Sequence, residues 1–197
     1  MKHFKTLSAA VVMLTMVLAF AGCGENPPSG GEPALPDDGD SENTLVVYFS
    51  CTNTTKRVAE YIQEELDCDI YEIVPETPYT SADLNYNNNS SRSSIEQNDT
   101  DSRPAISGQI EDFEKYDVVF IGYPIWWGIA PRILYTFVES YDFTNKTVIP
   151  FCTSGGSGVG NSATELSRIA DGGEWKSGTR LSSSQSAVVS WVKGLAE

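Results

Sequence analysis

The sequence predicts an α/β protein: a three-layer, doubly wound parallel sheet of five strands. Three observations carry that expectation. Short continuous apolar runs recur without polar alternation, as at Leu45–Phe49 and Val118–Tyr123, the pattern of strands buried on both faces. Stretches with helical apolar spacing follow these runs. Strand and helix therefore alternate, which places helical crossovers on both faces of a parallel sheet.

Leu45–Phe49 is the first strand, and Val58, Ala59, Ile62 and Leu66 mark the inner face of the helix after it. Ile70–Val74 reads as the second strand, ended by Pro75, and Val118–Tyr123 as the third. Pro131 opens the next helix, where a missing N–H costs nothing, and Ile133, Leu134, Phe137 and Val138 form its inner face. Thr147–Cys152 is the fourth strand, followed by a helix through Val159, Ala163, Leu166 and Ile169. A weak fifth strand lies within Trp175–Leu181. Ser182-x-x-Gln185 has the form of a capping box. It precedes a closing helix with Ala187, Val188, Trp191, Val192 and Leu195 on its apolar face. Glu76–Gly108 breaks the rhythm: it is rich in Ser, Asn and Asp and contains YNNNSSRSS. A loop this long is uncommon inside a compact domain. It reads as a short irregular helix near Ile95, a mobile cover over a site, or a solvated insertion without a function.

The chain has 197 residues and a net charge of −14, with a pI near 4.4. Three segments are expected: residues 1–22, an export signal; 23–43, an acidic tether; and 44–197, the folded domain. Lys2, His3 and Lys5 make a positive start, and Ala9–Ala21 is almost entirely apolar. That run is too short to span a membrane and suits an export signal. Ala21-Gly22-Cys23 resembles a bacterial lipobox, although Phe20 stands where Leu is more usual. The resemblance implies cleavage before Cys23 and a lipid on its sulfur. The protein would then be held by that lipid alone to the outer face of the cytoplasmic membrane, or be periplasmic. The alternative is an ordinary secretory signal with an incidental Cys. Gly24–Asn43 contains four Pro, four Gly, six acidic residues and no Lys or Arg. Such a segment buries too little apolar area to offset its ordering entropy.

Cleavage before Cys23 removes His3, the only histidine. Ser-His-Asp and Cys-His chemistry and His-ligated metals are then excluded, and no metal is expected. The acidity argues against nucleic acid and anionic lipid as partners. Cys51, Cys68 and Cys152 are odd in number and lack a CxxC spacing. Three buried thiols are expected, with a Cys51–Cys152 bridge as the alternative.

Ligands of doubly wound sheets sit beyond the carboxyl ends of the strands, and three loops of interest fall there. FSCTNTTKR joins the first strand to its helix. Ser50, Thr52, Thr54 and Thr55 place hydroxyl donors at a helix start, where free amides and the dipole favour an anion. Asn53 tolerates a left-handed backbone. No Walker or GxGxxG pattern is present, so the stretch suits a phosphate held by neutral donors. GYPIWWGIAPR follows the third strand. Trp126 and Trp127, framed by Pro124, Ile125, Gly128 and Pro131, make an aromatic wall on which a flat ring can stack. CTSGGSGVG follows the fourth strand. Its glycines expose backbone amides along Thr153, Ser154, Gly155 and Gly156.

Together these loops describe a site for a mononucleotide with a flat heterocycle, and here the chain resembles the flavodoxin-like family over nearly all of residues 44–197. YFSCTNTTKRVAEYI is similar to the family's phosphate loop, S-x-T-G-N-T: Ser50, Thr52 and Thr55 match, while Asn53 replaces Gly and Thr54 replaces Asn. GYPIWWGIAPR and TSGGSG are similar to its two flavin loops. The resemblance implies strand order 2-1-3-4-5 and noncovalent FMN. Ser50, Cys51, Thr52, Asn53, Thr54 and Thr55 would surround the phosphate. Trp126 or Trp127 would stack on the ring, and Thr153–Gly156 would face its pyrimidine side. Many members stack a Tyr from the second flavin loop; this chain has no aromatic between Cys152 and Ala163. The expected function is electron transfer, with a redox protein or a small electron acceptor as partner and a flavin potential lowered by the acidic surroundings. One alternative is an FMN-dependent NAD(P)H or quinone oxidoreductase that uses residues 76–108 in its substrate pocket. Another is a non-enzymatic receptor for a phosphorylated small molecule.

Overall fold

The computed structural model describes residues 43–195. The expected export signal, Cys23 and the acidic segment up to Glu42 lie outside the described residues. In chain order the elements are β1 (Thr44–Tyr48), α1 (Thr54–Leu66), β2 (Asp69–Glu72), β3 (Val74–Pro75), α2 (Arg92–Asn98), β4 (Ile106–Ser107), a 3-10 turn (Phe113–Lys115), β5 (Val118–Pro124), α3 (Arg132–Glu139), β6 (Thr147–Thr153), α4 (Ser162–Ile169), β7 (Glu174–Trp175), β8 (Thr179–Arg180) and α5 (Gln185–Gly194).

The main sheet runs β2-β1-β5-β6, with β7 and β8 sharing the last position along β6, and every pairing in it is parallel. This is the expected order 2-1-3-4-5, with the fifth strand in two pieces. β7 pairs through Thr147↔Glu174 and Val148↔Trp175, and β8 through Phe151↔Thr179 and Cys152↔Arg180. Between them Gly178 passes so close to the helical layer that a Cβ there would stand 3.0 Å from Ala163 Cβ of α4, and 2.7 Å from Val159 Cγ2 in the loop before it.

Alternate side chains of the central strands feed two cores. Leu45, Val47, Val119, Ile121 and Tyr123 pack with Ile133, Leu134, Phe137 and Leu166 of α3 and α4. Val46, Tyr48, Phe120, Ile149 and Phe151 pack with Val58, Ala59 and Ile62 of α1 and Val188 and Val192 of α5. Each Val, Leu, Ile or Phe side chain among them contributes about 1.5–3 kcal/mol on burial, and the two cores make the three layers.

Three local expectations shift. The second strand stops at Glu72, and Val74–Pro75 turns away to pair antiparallel with Ile106–Ser107. Helix α4 begins at Ser162, after Val159, because Gly160 takes φ 54°, outside helical geometry. Ser182 caps nothing: Ser184 is the N-cap residue of α5 and makes no side-chain cap bond; its hydroxyl pairs with that of Ser186 at 3.1 Å. Residues 76–108 contain the short helix expected near Ile95, α2, inside a closed arch with β3 and β4 at its base.

Cys51, Cys68 and Cys152 are free thiols; Cys68 and Cys152 are buried, as expected, and Cys51 is only partly buried. Burial pushes Cys51 and Cys68 up to about 12 and Cys152 to about 11, from an ordinary value of 9.0. A folded-state pKa raised on an acid holds the proton in the native state, so its stability is intact below the unfolded value and is lost above it. Buried Lys146, shifted down chiefly by burial, acts in the opposite sense, while Tyr48, Tyr79, Tyr123 and Tyr135, raised chiefly by burial, add to the thiols' effect toward pH 10. The urea midpoint is therefore expected to fall between pH 8 and pH 10. An unchanged midpoint would show that burial of these acids does not hold their protons in the fold.

Candidate functional site

The loop from β1 to α1 departs from ordinary capping. Asn53 is the N-cap residue, with φ 60° and ψ 7°, and its side chain caps no amide. The positive φ expected at this position is observed. The first helical bond runs from Arg57 N to Asn53 O at 3.1 Å. The amides of Thr54, Thr55 and Lys56 precede it and belong to the group every helix start leaves open. None of the loop's hydroxyls is spent on a cap. Thr52 and Thr54 pair at 3.3 Å on the exposed side. Thr55, 1% exposed, meets Thr153 hydroxyl to hydroxyl at 2.8 Å, which ties this loop to the end of β6. Lys56 is half-exposed and sits 3.9 Å from Glu72; α1 has no acidic residue in its first turn.

The loop after β5 is a tight reversal. Trp126 N donates to Ile129 O at 3.0 Å and Ile129 N to Trp126 O at 3.1 Å. Trp127 and Gly128 between them take φ 49° and 84°, the signs of a type I′ turn. Such a turn favours Asn or Gly at its first central position; a bulky residue there is an outlier of the kind that clusters at ligand sites. The two tryptophans divide their tasks. Trp126 packs edge-on against Phe49 at 5.7 Å and Tyr79 at 5.4 Å between centroids. Trp127 remains 49% exposed.

The loop after β6 opens outward. A Cβ at Gly155, Gly156 or Gly158 would meet no atom within 4 Å, and the same holds for Gly128. Their lack of side chains is thus not demanded by packing within the protein. The Ser154 hydroxyl donates to Ser157 O, and Arg180 reaches the carbonyls of Gly156 and Ser154, both at 3.5 Å.

A cleft of about 520 Å³ lies at the carboxyl end of the sheet. Ser50, Cys51, Thr52 and Thr55 line one part of it, and Pro124, Ile125, Trp126 and Trp127 another. Asn53, Thr54, Gly128 and Thr153–Gly156 are outside its lining. Leu84, Tyr86 and Ser93 of the arch complete it; they are absent from the sequence-based candidates. The available signal is Tyr79 and Tyr86, two aromatics in an otherwise polar stretch.

The arch is bolted to the site. Gln97 donates to Trp126 O at 3.1 Å and Ala130 O at 3.3 Å and accepts from Arg132 N at 3.0 Å. Arg92 lies 4.1 Å over the Tyr79 ring and pairs with Glu96 at 2.6 Å; the Tyr79 hydroxyl donates to the same carboxylate. Burial, then that hydrogen bond, keeps the Tyr79 phenol protonated well above its ordinary range.

A parallel doubly wound sheet with its cleft at the carboxyl edge, at an uncapped helix start, defines a ligand-binding protein of the α/β class. The chain belongs to the flavodoxin family, whose model matches residues 43–195. Among solved structures it is similar to a protein of Bacteroides eggerthii DSM 20697 provisionally classed as a flavoprotein, at 50% identity, covering 79% of this chain and 98% of that one with a TM-score of 0.73. A Bacteroides uniformis ATCC 8492 protein, classed in the same way, shares 46% identity over 77% of this chain and 98% of its own, with a TM-score of 0.74. A Lactobacillus acidophilus NCFM flavoprotein in complex with FMN shares 26% identity over 76% and 98%, with a TM-score of 0.57. No curated protein matches the chain.

Proposed function

We propose that this chain is an FMN-binding electron carrier of the flavodoxin type, exported and held by a lipid on Cys23 to the outer face of the bacterial cytoplasmic membrane. One observation carries the cofactor reading: an uncapped helix start ringed by hydroxyls shares a cleft with the exposed ring of Trp127. When bound, FMN supplies the redox chemistry. Ser50, Thr52, Asn53, Thr54 and Thr55, with the first amides of α1, would hold its phosphate by neutral donors. Trp127 would stack on the ring, since Trp126 is committed to Phe49 and Tyr79. Pro124, Ile125 and Gly128 shape that wall, and Cys51 sits beside it as a protonated thiol. The amides of Thr153–Gly156, clear of side chains at Gly155 and Gly156, would face the ring edge. The partner is a redox protein or a small electron acceptor. The Ala21-Gly22-Cys23 pattern supports the anchor.

Titration of the purified protein with FMN and with riboflavin tests the cofactor reading. FMN is expected to bind far more tightly, because riboflavin lacks the phosphate. Equal affinity for the two, or none for either, overturns it. Trp127→Gly is expected to weaken FMN binding roughly tenfold while changing stability by less than about 1 kcal/mol, since relief of the positive φ offsets the lost ring contacts. Comparison of the FMN dissociation constant with the urea midpoint checks this.

The lining of the cleft by Leu84, Tyr86 and Ser93 favours a second reading, in which the arch shapes a substrate pocket and the protein is an FMN-dependent NAD(P)H or quinone oxidoreductase. Steady-state NAD(P)H oxidation by the pure holoprotein separates an oxidoreductase from a carrier that requires a reductase.

A further inference from the structure

We propose that Tyr86, carried by the arch of residues 76–108, is an aromatic cover for the flavin ring, supplied from outside the loops that follow β1, β5 and β6. The inference rests on the FMN reading above.

Among the described residues five large apolar side chains are strongly exposed: Ile70, Val74, Tyr86, Ile95 and Trp127. Two of the five are aromatic, and those two line the same cleft. Exposed aromatic surface gathered at one concave site marks a place where a flat ring is received. The same cleft holds Ser50, Thr52 and Thr55, so a ligand with its phosphate at that end has its ring within the aromatic part. The loop after β6 has no aromatic between Cys152 and Ala163, so it cannot supply a second ring to the cleft.

The polar run around Tyr86 acquires a purpose in this setting. Asn88 N donates to Asn85 O at 3.0 Å and Ser91 N to Asn88 O at 2.9 Å. The side chains of Asn85 and Asn88 accept from Asn87 N at 3.1 Å and Ser90 N at 3.0 Å. Consecutive Asx turns therefore shape the tip. Tyr86 occupies the first central position of the Asn85–Asn88 turn, and it is 71% exposed. The tip is fixed from below: Ser93 bonds Asp83 O through its amide at 3.0 Å and its hydroxyl at 2.6 Å, and Thr80 binds the Asp83 carboxylate at 2.7 Å. The ring is held out from a secured frame, so little ordering is needed when a partner ring arrives.

The test compares wild type, Tyr86→Ala and Tyr86→Phe by FMN titration and by the visible absorption bands of the bound flavin, whose shape reports the ring's surroundings. Tyr86→Ala is expected to raise the dissociation constant roughly two- to tenfold and to alter the bands. Tyr86→Phe is expected to keep both at wild-type values. Since the side chain is exposed, far-UV circular dichroism is expected to be the same for all three. Wild-type affinity and bands in Tyr86→Ala overturn the proposal, as does a Tyr86→Phe variant impaired as much as Tyr86→Ala. A wild-type chain that binds no FMN overturns the cofactor reading instead, and does so before any variant is made.

Discussion

Gln97→Leu is expected to destabilise the protein by about 2–4 kcal/mol and to weaken FMN binding at the same time. Gln97 is 7% exposed, and its amide serves three backbone groups of the segment that carries Trp127: Trp126 O, Ala130 O and Arg132 N. Leu fills much of the volume and serves none of them. Trp126 O keeps its bond from Ile129 N at 3.1 Å, so that loss is partly offset. Ala130 O and Arg132 N lose their side-chain partner inside the protein, at about 1–3 kcal/mol for each group left unsatisfied. Gln97→Glu retains an acceptor for Arg132 N and should recover part of the loss. Urea denaturation of the three proteins, with FMN titration of each, checks the argument. A Leu variant within about 0.5 kcal/mol of wild type, the range of ordinary surface changes, would mean that the arch and the tryptophan turn are not coupled through this side chain.

Gly122→Ala is expected to cost about 2–3 kcal/mol or more. Gly122 lies in β5, opposite Phe151 of β6. A Cβ built there would stand 2.1 Å from Phe151 Cζ, with two further ring atoms at 2.5 and 2.8 Å. Phe151 has 0% exposure and contacts Trp191 of α5, so its ring has little room to move. The partner of the clash names its own rescue. Phe151→Leu alone should destabilise, yet combined with Gly122→Ala it should recover much of the loss, giving a large favourable coupling in a double-mutant cycle. Additive losses would place the cost elsewhere in the sheet.

The parts of this fold that were readable in the sequence are those whose cause is local. Val118–Tyr123 reads as a strand because burial on both faces writes a continuous apolar run. Asn53 reads as left-handed because few residues other than Gly tolerate that backbone. The hydroxyl loop and the tryptophan turn were legible for the same reason. What escaped depends on distant partners. Nothing in residues 92–98 says that Gln97 will meet Trp126, Ala130 and Arg132. The positive φ of Trp127 follows from a turn closed by two backbone bonds, which the residue's own preferences argue against. Ser182-x-x-Gln185 has the right letters for a capping box, but the helix begins later and the hydroxyl of Ser184 finds Ser186 instead. The fifth strand reads as weak because it is two short pieces, separated where Gly178 passes the helical layer.

The domain also has a direction. Its strands run parallel, so the end where β1 begins is the pole opposite the cleft. Asn43 is pinned at that pole: its side chain donates to the Asp117 carboxylate at 2.8 Å, and its carbonyl accepts from Asp117 N at 2.9 Å. Anything that precedes Asn43 therefore joins the domain at its base. If the anchor is a lipid on Cys23, the tether enters the domain at the end opposite the cleft. An attachment at that end leaves the mouth of the cleft clear of the tether's point of entry.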